Sequence, residues 1–130
     1  MSLTTQDTLD ILQLYSRYNT AIDTGDGERF AACFVADGKF DAGIQVLDGH
    51  AAIAGFAVGT HKALPGMRHN ATNIVIDGGG DRATGSAFLI GYDTKGGFKV
   101  IVTGRYMDEL VKTSSGWRFT KRIFSPDKPE

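Results

Sequence analysis

Helical periodicity confined to the first half of the chain, four strand-like segments in the second, and turn signals between successive strands together predict an α+β fold. In that fold, helices cover one face of a mostly antiparallel sheet. The 130 residues make one domain's worth of chain, 1–130, with residues 1–4 and 126–130 expected as flexible ends.

Thr4 or Thr5 can cap a first helix, and Asp7 falls in its first turn. Ile11, Tyr15, Tyr18 and Ile22 recur at helical spacing and form one apolar stripe, which ends near Gly25. A short second helix should bury Phe30, Ala31, Cys33 and Phe34 and stop at Asp37-Gly38. Residues 39–47 read as a short strand pair bent at Gly43. Asp48 can cap a third helix, with Ile53, Phe56 and Leu64 as its apolar contacts and Pro65-Gly66 as its end.

Residues 67–77, 82–93, 98–112 and 116–124 are rich in Val, Ile, Thr, Phe and Tyr and read as strands. Gly78-Gly79-Gly80-Asp81, Thr94-Lys95-Gly96-Gly97 and Thr113-Ser114-Ser115-Gly116 separate them as turns. Gly85, Gly91 and Gly104 interrupt good strand sequence, as glycines do at bulges and sharp bends. A sheet bent in this way over helices encloses a hollow.

Composition narrows the function classes. The chain is 42% hydrophobic and 22% charged, ordinary for a folded domain. Its net charge of −1 lacks the basic excess of a nucleic-acid binder, so no nucleic-acid partner is expected. No apolar run approaches the roughly 20 residues of a membrane span. The opening residues lack a basic stretch followed by an apolar one, so a cytoplasmic protein is expected. The single cysteine, Cys33, excludes an intrachain disulfide. His50, His61 and His69 have no metal-ligand spacing, and neither a Gly-x-Gly-x-x-Gly run nor a phosphate loop occurs, so neither metal nor cofactor is expected.

Strand alternation over 67–77 puts Met67, His69, Ala71, Asn73 and Val75 on one face. An imidazole titrates close to neutrality and can act as acid or base, so a histidine facing a pocket is a candidate proton carrier. On its own, such a histidine is more often a core side chain satisfied by a backbone carbonyl. Asp23 is unusual because it lies in the last helical turn, where the macrodipole disfavours an anion, and it flanks the apolar stripe. It is either a solvated helix-end acid or an acid compensated by a partner. Asn73 is an inward polar candidate, and Tyr106 shares a face with Val100, Val102 and Leu110. Phe40, Phe56, Met67, Phe88 and Phe124 form the expected apolar lining, each equally readable as plain core.

Several segments together resemble the SnoaL-like family. These are Tyr18 to Asp26, Phe30 to Phe34, Asp37-Gly38, Phe40, Gly49 to Ile53, Arg68 to Asn73, Gly80 to Ala83, Gly104 to Asp108, and Gly116 to Phe119 with Lys121-Arg122. The match runs in order over nearly the whole chain. The resemblance implies the nuclear-transport-factor-two-like cone, a cone-shaped α+β barrel shared with scytalone dehydratase, bile-acid dehydratase, ketosteroid isomerase, polyketide cyclases and dioxygenase small subunits.

The dehydratases carry a Tyr five residues before an Asp on the first helix and a His on the first long strand. Tyr18, Asp23 and His69 fall on those positions. What the resemblance implies is a cofactor-independent lyase, isomerase or cyclase for a small apolar hydroxy-carbonyl, polyketide-like or steroid-like molecule. In it Asp23 orients His69, His69 moves the proton and Tyr18 holds the oxyanion. The alternative is a non-catalytic ligand-binding or assembly module like the dioxygenase small subunits. A homodimer or homotrimer is expected in either case.

The sequence also departs from these relatives. The second pocket histidine of scytalone dehydratase falls near Ala87. The acids of ketosteroid isomerase fall near Ala42 and Tyr106, with Asp41 turned to the other strand face.

Overall fold

The computed structural model describes residues 2–128. Three helices, α1 (Thr5–Thr24), α2 (Gly27–Ala32) and α3 (Gly49–Ala63), accompany six strands. The strands are β1 (Phe34–Asp41), β2 (Val46–Asp48), β3 (Met67–Gly79), β4 (Arg82–Asp93), β5 (Lys99–Thr113) and β6 (Gly116–Pro126). They form one sheet in the order β2-β1-β6-β5-β4-β3. Every neighbouring pair is antiparallel except β1 with β6, which run parallel. This is the expected cone-shaped α+β arrangement. Its sheet stays open, with β2 and β3 as edges.

The start of α1 is fixed by a reciprocal cap. Thr4 Oγ1 accepts from the Asp7 amide at 3.0 Å, and Asp7 Oδ2 accepts from the Thr4 amide at 3.1 Å. The same Asp7 carboxylate accepts from Lys112 Nζ at 2.9 Å and from the Trp117 indole at 3.1 Å, which ties the helix to the β5–β6 hairpin. Gly25 ends the helix in the left-handed region at φ 73°, a conformation that glycine adopts without a Cβ penalty. The stripe Ile11, Tyr15, Tyr18 and Ile22 is buried against the concave face of the sheet with Phe30, Phe34, Ile53, Trp117 and Phe119.

The second helix is shorter than expected. It stops at Ala32, and Phe34 opens β1, so Asp37-Gly38 lies inside a strand. The turn signal there marks an irregularity in the pairing of β1 with β6, between Phe34 and Lys39. A Cβ on Gly38 would sit 2.9 Å from the Val35 carbonyl oxygen, a contact that only glycine allows. Asp48 does stand at the start of α3, but its side chain makes no capping bond. The expected flexible ends fall partly on Met1, Pro129 and Glu130, outside the described residues; within them, Thr4 caps α1 and Pro126 closes β6.

Three bulges decide which side chains face inward. In β3 the register shifts between Thr72 and Val75, and Asn73 adopts φ 53°. Asn is among the few residues that tolerate this conformation. Alternation therefore slips by one residue: Ala71 faces in, Ile74 and Ile76 pack against the core, and Val75 is 56% exposed. A second shift separates Glu109 from Leu110 in the β5–β6 pairing, so Arg122 and Phe124 follow Phe119 onto the inner face. A third lies between Gly91 and Tyr92. Tyr15 reaches into space left by Gly85, where a Cβ would collide with its hydroxyl.

Candidate functional site

The last turn of α1 lies beside β3, the strand at one sheet edge. An edge strand leaves amides without a ladder partner. The His69 amide is met by Asp23, whose Oδ2 accepts from it at 2.9 Å. The other carboxylate oxygen, Oδ1, lies 2.6 Å from His69 Nδ1. Asp23 thus holds both the backbone and the ring of one residue. The partner that its awkward place at a helix C-terminus called for is His69.

The two side chains are 12% and 9% exposed, respectively, so the pair is largely shielded without being sealed. Nδ1 is engaged, while Nε2 has no hydrogen-bond partner among the described residues. One turn back on α1, the Asn19 Oδ1 acceptor is buried without a partner among the described residues.

Tyr18 and Tyr106 lie deeper. Their rings meet edge to face with centroids 6.0 Å apart. Burial above all pushes both phenols above their ordinary range, so both remain protonated donors. For Tyr106 the Asp23 charge adds a smaller push in the same direction. Tyr106 therefore feels the carboxylate of the His69 pair.

Beneath these tyrosines lies a group that the strand pattern conceals. Arg122 is buried with its guanidinium carbon 3.4 Å from the Tyr106 ring centre, 4.3 Å from that of Tyr18 and 4.9 Å from that of Tyr15. Its Nε lies 3.0 Å from Asp108 Oδ1, and the Tyr15 hydroxyl donates to Asp108 Oδ2. Burial raises the Asp108 carboxyl, against the opposing pull of Arg122 and Tyr15. Burial also works against the Arg122 charge, but Asp108 and the three surrounding tyrosines outweigh it. A signal for this cluster was present: Asp108 lies between Tyr106 and Leu110 on the inward face of a strand, where an acid requires a partner. Arg122 gave none, because the bulge before it reverses the alternation.

The remaining expected residues divide. Phe40 and Met67 are buried, and Phe56 and Phe124 pack at the margin of the core, Phe56 edge to face on Phe40 and Phe124 on Tyr106. Asn73 does not face inward, because the β3 bulge that it forms turns it to solvent. Phe88 is also a correction. Ala87 and Leu89 occupy the inner face of β4, so period-two alternation turns Phe88 outward, 48% exposed. Among the described residues no three His, Cys, Asp or Glu side chains gather as metal ligands. No helix is long and apolar enough to cross a membrane, again among the described residues.

The fold matches known structures closely. A variant of Rv3472, a protein of unknown function from Mycobacterium tuberculosis, is 32% identical, with 97% of this chain and 79% of that chain covered and a TM-score of 0.90. A proposed aromatic ring hydroxylase from Novosphingobium aromaticivorans is 30% identical, with 98% and 93% covered and a TM-score of 0.84. A proposed scytalone dehydratase from the same organism is 25% identical, with 96% and 89% covered and a TM-score of 0.81. No curated protein matches the chain. The SnoaL-like domain family matches residues 4–123, nearly the whole sequence, and the chain belongs to that family.

Proposed function

We propose that this protein is a cofactor-independent lyase or isomerase acting on a small, largely apolar hydroxy-carbonyl compound, polyketide-like or steroid-like. The observation that carries this reading is the Asp23–His69 pair, with Nδ1 held by a carboxylate at 2.6 Å and Nε2 unengaged. A carboxylate on Nδ1 fixes the tautomer that leaves Nε2 basic, and it supports the ring charge that forms when Nε2 takes a proton.

In a dehydration, Nε2 removes a proton from the carbon next to the substrate carbonyl. The electron pair moves onto the carbonyl oxygen, where a protonated phenol, Tyr18 or Tyr106, stabilises the enolate. The enolate then collapses to expel the β-hydroxyl, which leaves as water with the proton that His69 returns. In an isomerisation the same proton returns to a different carbon. Met67 is buried two residues before His69 on β3 and Phe124 packs on Tyr106, and the neighbour proposed as a scytalone dehydratase agrees in kind.

Wild-type protein and the His69→Ala and Asp23→Asn variants should be compared on a panel of cyclic β-hydroxy-ketones, following conjugated-enone absorbance. Loss of a general base lowers turnover by about a hundredfold or more, while stability falls by only about 1 kcal/mol. Turnover that survives His69→Ala overturns the reading.

A non-catalytic ligand-binding or assembly module is the second reading. It is favoured by the close aromatic packing of Tyr18 and by the apolar outer sheet face carrying Phe88, Ile90 and Met107. Thermal stabilisation by the same ketones without turnover supports it.

A further inference from the structure

A cleft of about 470 Å³ lies on the other side of α1, bounded by α2 and β6 and sharing no residue with the Asp23–His69 pair. Its floor is apolar, made by the buried Leu14, Ala21 and Cys33, and the exposed Ala32 also lines it. Three arginines surround it, Arg17 from α1, Arg29 from α2 and Arg118 from β6, against a single acid, Asp26.

These cations are not equivalent. Asp26 is already committed: it caps the Arg29 amide at 3.0 Å and lies 3.5 Å from Arg29 Nε. Arg118 is held in place by two carbonyls, donating to Trp117 O at 2.7 Å and Ser115 O at 3.0 Å, with no carboxylate partner among the described residues. Arg17 makes neither an ion pair nor a side-chain hydrogen bond among those residues. Arg17, Arg118 and Cys33 all line the same cleft. Ser16 and Thr20 add hydroxyls along the α1 wall.

We propose that this cleft is a second binding site, for a small organic anion with a phosphate or carboxylate head and an apolar body. Arg17 and Arg118 take the head, and the Leu14–Ala21–Cys33 floor takes the body. The chemistry is that of guanidinium recognition: planar donor forks match carboxylate and phosphate oxygens, and charge-assisted hydrogen bonds are the strong ones. A concave apolar floor with a few convergent polar groups is the usual form of a small-molecule site. The remaining positive charge has no carboxylate partner among the described residues, and an anion would supply one.

Titration of the isotope-labelled protein with phenyl phosphate, followed by amide NMR shifts, tests this. Benzyl alcohol serves as the neutral probe and inorganic phosphate as the head alone. Saturable shifts are expected at Arg17, Thr20, Ala32, Cys33 and Arg118, weakening with added salt. Arg17→Ala should weaken binding about tenfold, the order of one charge-assisted hydrogen bond. Arg17 carries no protein contact on which the fold depends, and Arg118→Lys keeps charge while losing the fork, so a weaker complex with a native spectrum separates recognition from folding. His69→Ala should bind phenyl phosphate as the wild type does, so this test stands whether or not His69 is catalytic. Shifts confined to the β3 end, equal binding of benzyl alcohol, equal binding of inorganic phosphate, or affinity unchanged in Arg17→Ala each overturn the proposal.

Discussion

Two carboxylate–cation pairs lie under the same sheet, Asp23 with His69 at its β3 edge and Asp108 with Arg122 on its middle strands β5 and β6. The inner pair is enclosed: the Arg122 and Asp108 side chains are 1% and 0% exposed, with aromatic rings and the Tyr15 hydroxyl filling the space around them. The outer pair keeps one ring nitrogen unengaged. An arginine never gives up its proton in a protein, whereas an imidazole does so near neutrality. The inner pair can therefore only hold structure and field, whereas proton exchange is the role proposed for the outer pair. Their difference lies in cation type and access, not in the acid.

Removing the cation from each pair should separate them most clearly. Arg122→Met leaves Asp108 buried and unpaired and should lower unfolding stability by about 3–5 kcal/mol in a denaturant titration. Adding Asp108→Leu removes the stranded charge and should recover most of that loss. At the outer pair, His69→Gln should lower stability by only about 1 kcal/mol, since Asp23 keeps its bond to the residue 69 amide and can be hydrated. Equal losses at the two pairs would erase the contrast.

Asp7 offers a third comparison, a carboxylate with three donors, one of them a cation. The hydrogen bond from Lys112, followed by those from Thr4 and Trp117, holds it well below the usual carboxylate range. A depressed folded-state pKa stabilises the fold above the unfolded value and is lost as pH falls, so acid should destabilise the protein from about pH 4 downward through this group. Asp7→Asn should flatten that part of a stability-against-pH curve. The smallest effect concerns Cys33, whose thiol burial pushes up to about 11. Native protein should react negligibly with a thiol reagent at neutral pH and rapidly once unfolded.

Element types were legible where one periodicity held without interruption. The stripe from Ile11 to Ile22 and the glycine-bearing turns of the meander needed no tertiary information. Facing was legible only up to each bulge. Met67, His69 and Ala71 follow simple alternation, and beyond Asn73 it fails. The same break hides Arg122 behind Thr120 on β6. The lost information is one residue of register, and a single such slip reverses every later side chain on a strand. The contact between Asp23 and His69 was foreshadowed by an acid at the wrong end of a helix, yet its distance depends on how α1 docks against an edge strand.

The lone parallel pair in the sheet has a kinetic consequence. Strands β3 to β6 join through short turns and can assemble from near neighbours, but β1 has only the three-residue β2 beside it until β6 arrives. Phe34 must wait for Phe119, and the long loop between them has to close before the pairing repays its entropy. Arg122 lies on that same last strand, so the aromatic cage remains without its cation until the seam closes. Refolding should accordingly show a meander that gains protection from hydrogen exchange early, and a β1–β6 seam whose protection, together with the burial of Tyr18, comes last.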